Sequence, residues 1–168
     1  MTERELTPPH LRIEMLSQPR YLAGVRSMMC AVSERLGFTK CDAGQIALAV
    51  DEALCNIIQH GYQKQPDGRI RISVWPIENT ENEEYGIRII LEDEGRQVDP
   101  SCIKSRELKD IRPGGLGVHI IKKVMNTVQY SERDGKGMQL LLEKTGAQLI
   151  PHNEEPSEEC QCLPDENN

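Results

Sequence analysis

Apolar residues recur at intervals of three and four through residues 46–62, IALAVDEALCNIIQHGY. There Ile46, Ala49, Val50, Ala53, Leu54, Ile57 and Ile58 share one helical face. The same period runs through residues 20–36, with Leu22, Val25, Met28 or Met29, Val32 and Leu36, and stops at Gly37. Alternation replaces it elsewhere. Leu11, Ile13 and Met15 predict a strand over 10–17, and Ile70, Ile72 and Val74 predict one over 69–75. A further strand is expected over 85–93, YGIRIILED, and the acidic ENTENEE between the last two reads as a hairpin loop. Val118, Ile121, Val124 and Met125 predict a third helix after a glycine loop. A strand follows from near Val128, and DGKG at 134–137 turns into a last strand over 138–144. The central helix is expected to open at Asp42, with Gln45 as its reciprocal cap, and to close at Gly61.

These elements predict an α/β two-layer sandwich, one mixed and mostly antiparallel sheet covered on one face by helices. The expected organisation is a flexible N-terminus at 1–9, one domain over 10–145, and a polar, acidic, disordered tail at 146–168. Residues 94–113 have no sustained period, so a loop or lid is expected at about 96–117. At 168 residues the chain suits a single domain. No apolar run approaches the roughly 20 residues of a membrane span, and MTERELTPPH lacks the apolar core of a signal peptide. A cytoplasmic protein is the expectation.

Charge and cysteine content narrow the partners. A formal net charge of −7 argues against direct nucleic-acid binding, but leaves ATP open, since backbone N–H groups and a metal can hold its phosphates. The six cysteines, Cys30, Cys41, Cys55, Cys102, Cys160 and Cys162, form no CxxC pair and read as reduced thiols.

Three segments carry candidate chemistry. Glu52 and Asn56 lie one helical turn apart, so a carboxylate stacks above a carboxamide. That pair can orient or deprotonate a hydroxyl and hold a hard divalent cation, or it can be a solvated stripe on a half-buried helix. Asp93-Glu94-Gly95 ends a strand and has the form of an ordinary turn. Gly114-Gly115-Leu116-Gly117 opens a helix, as a phosphate cradle or a flexible joint would.

In order and spacing the three segments resemble the GHKL (Bergerat-fold) ATPases, the group that takes in gyrase, histidine kinases and mismatch-repair MutL. Within it the chain looks most like the anti-sigma factor serine kinases of the RsbW and SpoIIAB type. DEALCNIIQHGY resembles that subfamily's N box, DEG at 93–95 its first glycine box, and GGLG at 114–117 its second. The resemblance implies ATP and Mg²⁺ as cofactors, with Asn56 on the metal and Glu52 as general base toward a serine hydroxyl. It implies that Asp93 accepts the adenine amine and that Gly95 passes beneath the base. Gly114, Gly115, Leu116 and Gly117 would hinge the lid and bring N–H groups to the phosphates.

The implied function is an ATP-dependent serine/threonine protein kinase and anti-sigma factor in a partner-switching circuit. Its partners would be a sigma factor and a STAS-domain antagonist, and the chain would form a homodimer. The chain departs from the family at Gln97, where a second glycine is usual, and at Met138 and Gln139, where the last strand often starts with threonine. Those departures suit an alternative, a non-catalytic module that uses ATP only as a ligand. A histidine kinase fragment is a third reading, but it needs an upstream helix bearing a phosphoacceptor histidine, and His10 stands alone in TPPHL.

Overall fold

A computed structural model describes residues 7–79, 84–103 and 116–147. Strand β1 (Leu11–Leu16) leads through a short 3₁₀ turn at Pro19–Tyr21 into helix α1 (Leu22–Arg35) and then helix α2 (Lys40–Asn56). Strands β2 (Arg69–Asn79) and β3 (Glu84–Asp93) follow, then helix α3 (Leu116–Val124) and strands β4 (Thr127–Glu132) and β5 (Met138–Thr145). The strands form one sheet in the order β1-β2-β3-β5-β4, and every pairing in it is antiparallel.

Alternation along each strand sends one set of side chains to the helix layer. One row across the sheet reads Ile13, Ile72, Leu91, Leu140, Tyr130, and the next reads Leu11, Val74, Ile89, Leu142, Val128. Against them α2 buries Ala43, Ile46, Ala47, Ala49, Val50, Ala53 and Leu54. Helix α2 packs against α1 on one side and α3 on the other, so its polar residues emerge beside the start of α3. In a third row, Met15 and Ile70 are followed by Asp93. The period that buries Ile87, Ile89 and Leu91 therefore buries a carboxylate as well, leaving Asp93 3% exposed.

The opposite sheet face carries ion pairs beside the buried Trp75 and Ile90. Arg71 pairs with Glu92 at 3.3 Å and with Glu14 at 3.9 Å, and Arg88 pairs with Glu143 at 2.7 Å. Trp75 Nε1 donates to the Thr7 carbonyl at 2.7 Å. Among the described residues the last backbone bond between the start of β1 and β2 is the His10 N–H on the Val74 carbonyl, so Pro76 lies beyond the end of β1.

Three local expectations change. Helix α2 opens at Thr39, whose hydroxyl accepts the Asp42 N–H at 3.1 Å and donates to the Asp42 carboxylate at 2.7 Å. Asp42 is thus the third helical residue and completes a cap that Thr39 begins. At the other end α2 runs into a π-helical turn, Ile57–Gly61, closed by the Tyr62 N–H on the Ile57 carbonyl at 2.9 Å. The left-handed residues that end this run are Gln63 and Lys64, with φ of 52° and 66°, so Gly61 does not serve as the glycine stop. The β2–β3 hairpin is also longer than alternation alone marks, with paired residues out to Asn79 and Glu84.

Candidate functional site

Glu52 and Asn56 occupy successive turns of α2 on the side facing α3. Gly117, the second residue of α3, is buried against them. A Cβ at Gly117 would lie 2.6 Å from Glu52 Oε2 and 3.5 Å from Asn56 Nδ2, so a side chain there would displace the carboxylate. Among the described residues Asn56 Nδ2 is buried without a hydrogen-bond partner. An unpaired buried donor costs about 1–3 kcal/mol. Such an amide is set for an acceptor from outside, and a half-turn of it offers the oxygen to a cation instead. Among the described residues no group of three or more His, Cys, Asp or Glu could hold a metal ion. A cation at Asn56 would therefore draw most of its ligands from a bound anion, as magnesium does on phosphates. On these grounds the donor set fits Mg²⁺.

The second group gathers at the end of β3. Asp93 Oδ1 accepts the Gly95 N–H at 2.8 Å and the Met138 N–H at 3.4 Å. These bonds fix the carboxylate, and among the described residues its other oxygen makes no hydrogen bond. Burial pushes the Asp93 pKa up, opposed by the two N–H donors and by the Arg133 guanidinium. Gly95 has a close-approach role: a Cβ there would stand 2.6 Å from the Gly61 carbonyl. That same carbonyl accepts the Arg96 N–H at 2.9 Å and ties the end of the π-turn to the segment after Asp93. Both groups therefore hang on one helical run. Asn56 ends α2, and five residues on, Gly61 sits against Asp93 with a Cβ position 3.7 Å from Oδ1. A π-turn widens the backbone between them, a device frequent at functional sites.

Several supporting residues lie outside the three motifs. Tyr62 donates its hydroxyl to the Arg69 carbonyl and accepts the Glu94 N–H at 2.7 Å, and burial raises the phenol's pKa. Arg133 Nη1 donates to the Asp93 carbonyl at 2.6 Å. Gln97 Nε2 donates to the Arg133 carbonyl at 2.6 Å, and the Val98 N–H points at Met138 Sδ at 3.5 Å. Both departures from the family pattern thus make internal bonds beside Asp93. Gly137, at φ +83°, brings the β4–β5 turn onto β3, where a Cβ would fall 1.9 Å from the Asp93 carbonyl. Gly137→Ala combines left-handed strain with a backbone clash, an expected loss of roughly 2–4 kcal/mol. Urea unfolding measures it, and a loss under about 0.5 kcal/mol, the level of an ordinary surface change, would refute the close approach. The signal for these supports was slight: DGKG marked a turn, and nothing in it pointed to Asp93.

Leu116 begins α3 and is 58% exposed. Gly114 and Gly115 lie outside the described residues, as do the greater part of the expected lid, with Lys104, Arg106, Lys109 and Arg112, and the tail cysteines Cys160 and Cys162. Among the described residues no helix is long and apolar enough to cross a membrane.

The architecture defines an α/β sandwich whose polar residues gather between the helix layer and one end of an antiparallel sheet. The chain belongs to the family of the histidine kinase-like ATPase domain, whose model matches residues 15–144. Among named proteins it is similar to the serine-protein kinase RsbW of Bacillus subtilis (strain 168), 24% identical over 75% of this chain and 80% of that protein. RsbW of Halalkalibacterium halodurans is 26% identical over 76% of this chain and 79% of its own length. RsbW of Bacillus thuringiensis (strain Al Hakam) is 28% identical over 74% and 79%. Among solved structures, the Erythrobacter litoralis EL346 blue-light activated histidine kinase is 21% identical with a TM-score of 0.46. The match covers 74% of this chain and 40% of that one. The GHKL likeness carried by the three boxes is thus met at the level of the family, and with it the use of ATP.

Proposed function

We propose that the chain is a cytoplasmic, Mg²⁺-dependent ATP:protein serine/threonine kinase that also serves as an anti-sigma factor. It would phosphorylate a STAS-domain antagonist and hold a sigma factor when that antagonist is spent. The observation that carries the reading is the convergence of Glu52, Asn56 with an Nδ2 that has no partner among the described residues, and Gly117 at the start of α3. The RsbW serine-protein kinases support the same direction.

In this reading Asn56 holds the metal, which when bound neutralises phosphate charge. Glu52 accepts the proton of a serine hydroxyl as its oxygen bonds the γ-phosphorus, and the bond to ADP breaks. Asp93 accepts the adenine amine, Gly95 admits the base, and Gly114, Gly115, Leu116 and Gly117 turn N–H groups to the phosphates. Residues 96–117 act as lid, and 10–145 as the folded unit. A homodimer forms through β1 and α1. In support, β1 is an edge strand, and its last residue Leu16 and the nearby Tyr21 are 41% and 43% exposed.

Glu52→Ala tests the chemistry. Phosphotransfer from ATP to the antagonist is expected to fall by at least about a hundredfold, the range of a lost general base. The ATP-induced thermal shift should persist. Wild-type protein that binds ATP and leaves the antagonist unphosphorylated would remove the kinase claim. The non-catalytic reading, favoured by the internal bonds of Gln97 and Met138, would then stand, with partner binding unchanged in Glu52→Ala.

A further inference from the structure

Arg133 belongs to none of the three motifs, yet it ties together the elements around Asp93. Nη1 donates to the Asp93 carbonyl at 2.6 Å, and Nε lies 3.3 Å from Glu92 Oε1. The other Glu92 oxygen pairs with Arg71 at 3.3 Å, so the tie extends onto the sheet face away from the helices. The Arg133 carbonyl accepts Gln97 Nε2 at 2.6 Å, and its N–H closes the turn on the Gly137 carbonyl at 3.1 Å. One residue thus holds the end of β3, the segment after Gly95, and the turn that delivers the Met138 N–H to Asp93 Oδ1.

Resting on the nucleotide reading above, we propose that Arg133 is the positioning residue that fixes the Asp93 carboxylate for adenine and sets the preference for adenine over guanine. Gln97 takes the place of the absent second glycine by anchoring its segment to that same residue. The physical ground is the planar fork of the guanidinium, which engages a carbonyl and a carboxylate at once; a lysine ammonium offers no such fork. An acceptor discriminates between an amine and a carbonyl only when it is held in place and ionised. The groups that act on the Asp93 charge are the Gly95 and Met138 N–H donors and the Arg133 guanidinium from the β4–β5 turn, while the Tyr62 phenol, after α2, feels the charges of Asp93 and Glu94. Arg133 is the cation among them, and Lys136 is paired with Glu94 at 3.2 Å. The guanidinium charge opposes the burial that favours a protonated Asp93.

Calorimetric titration of Mg-ATP and Mg-GTP across the acidic to neutral range tests this with wild type, Arg133→Met, Arg133→Lys and Gln97→Ala. Arg133→Met is expected to weaken ATP roughly tenfold, the loss of one charge-assisted bond. GTP should weaken less, and the acid loss of ATP binding should move to higher pH. Arg133→Lys restores the position of the pH profile and leaves the ATP-to-GTP ratio reduced. Gln97→Ala reduces that ratio by about threefold, the share of a neutral hydrogen bond. A wild-type ratio and pH profile in Arg133→Met overturn the proposal. Should that variant not fold, a wild-type ratio in both Arg133→Lys and Gln97→Ala overturns it. Wild-type protein that binds no adenine nucleotide sinks the nucleotide reading and this inference together. Binding wild type with indifferent variants sinks this inference alone.

Discussion

Asn56→Ala is expected to abolish the magnesium-dependent part of ATP binding while leaving the unliganded fold intact. A ligand at a hundred times its Kd stabilises the folded state by about 2.7 kcal/mol. For a domain of this size that raises Tm by roughly 5–10 °C. Wild type should show this rise with ATP and Mg²⁺, and Asn56→Ala should lose nearly all of it. The reason lies in the buried Asn56 Nδ2, which has no partner among the described residues. Alanine removes an unsatisfied donor, so the unliganded Tm should stay level or rise slightly. A side chain placed for stability would give the opposite pair of results. A variant that keeps its Mg-ATP shift would overturn the placement of phosphate at α2.

Asp93→Asn should weaken ATP by roughly ten- to a hundredfold, the value of a hydrogen bond to a charged acceptor. The amide oxygen can still take the Gly95 and Met138 N–H groups that Oδ1 takes now. Its NH₂ then meets the adenine amine donor to donor, and a guanine oxygen becomes the better match. Discrimination between ATP and GTP should therefore shrink or reverse. Stability should move the other way. Burial holds the folded-state pKa of Asp93 above its ordinary value, so the folded chain binds this proton more tightly than the unfolded chain. The stability so gained is present in full below the usual carboxylate range and lost as pH rises through the raised value. At neutral pH the buried charge is destabilising, and Asp93→Asn should melt higher than wild type. That advantage should fade on acidification. Thermal melts across pH settle the matter, and an advantage that is absent at neutral pH or grows in acid would reject this account.

The split between gain in fold and loss in binding also explains what could be read in the sequence. The rows through Ile72, Leu91 and Leu140 follow from alternation, and the buried face of α2 follows from its helical period. Both report burial, which leaves a regular trace in residue order. Glu52 and Asn56 were legible for the same reason, since an i, i+4 pair is fixed by the helix that carries it. Asp93 continues the Ile87, Ile89, Leu91 phase, so its burial was implied by position as well. What escaped depends on contacts between distant segments. Arg133 reaches Asp93 across 40 residues, and Gly137 is required by a carbonyl it meets only after β5 has paired with β3. The π-turn at Ile57–Gly61 left no trace, because its residues suit an α-helix equally well. The Thr39 cap was missed for a smaller reason: Asp42 and Thr39 bond each other, and either could have been the first polar residue of the helix.

Pro76 has one more consequence. Backbone groups along a strand turn alternately to its two edges. Because the Val74 carbonyl faces β1, the nitrogen of Pro76, two residues on, faces that same side where β1 has already ended. A foreign strand approaching this overhang meets a ring in place of a donor. Pro76 therefore offers no ladder bond to a strand that would extend the sheet past the end of β1.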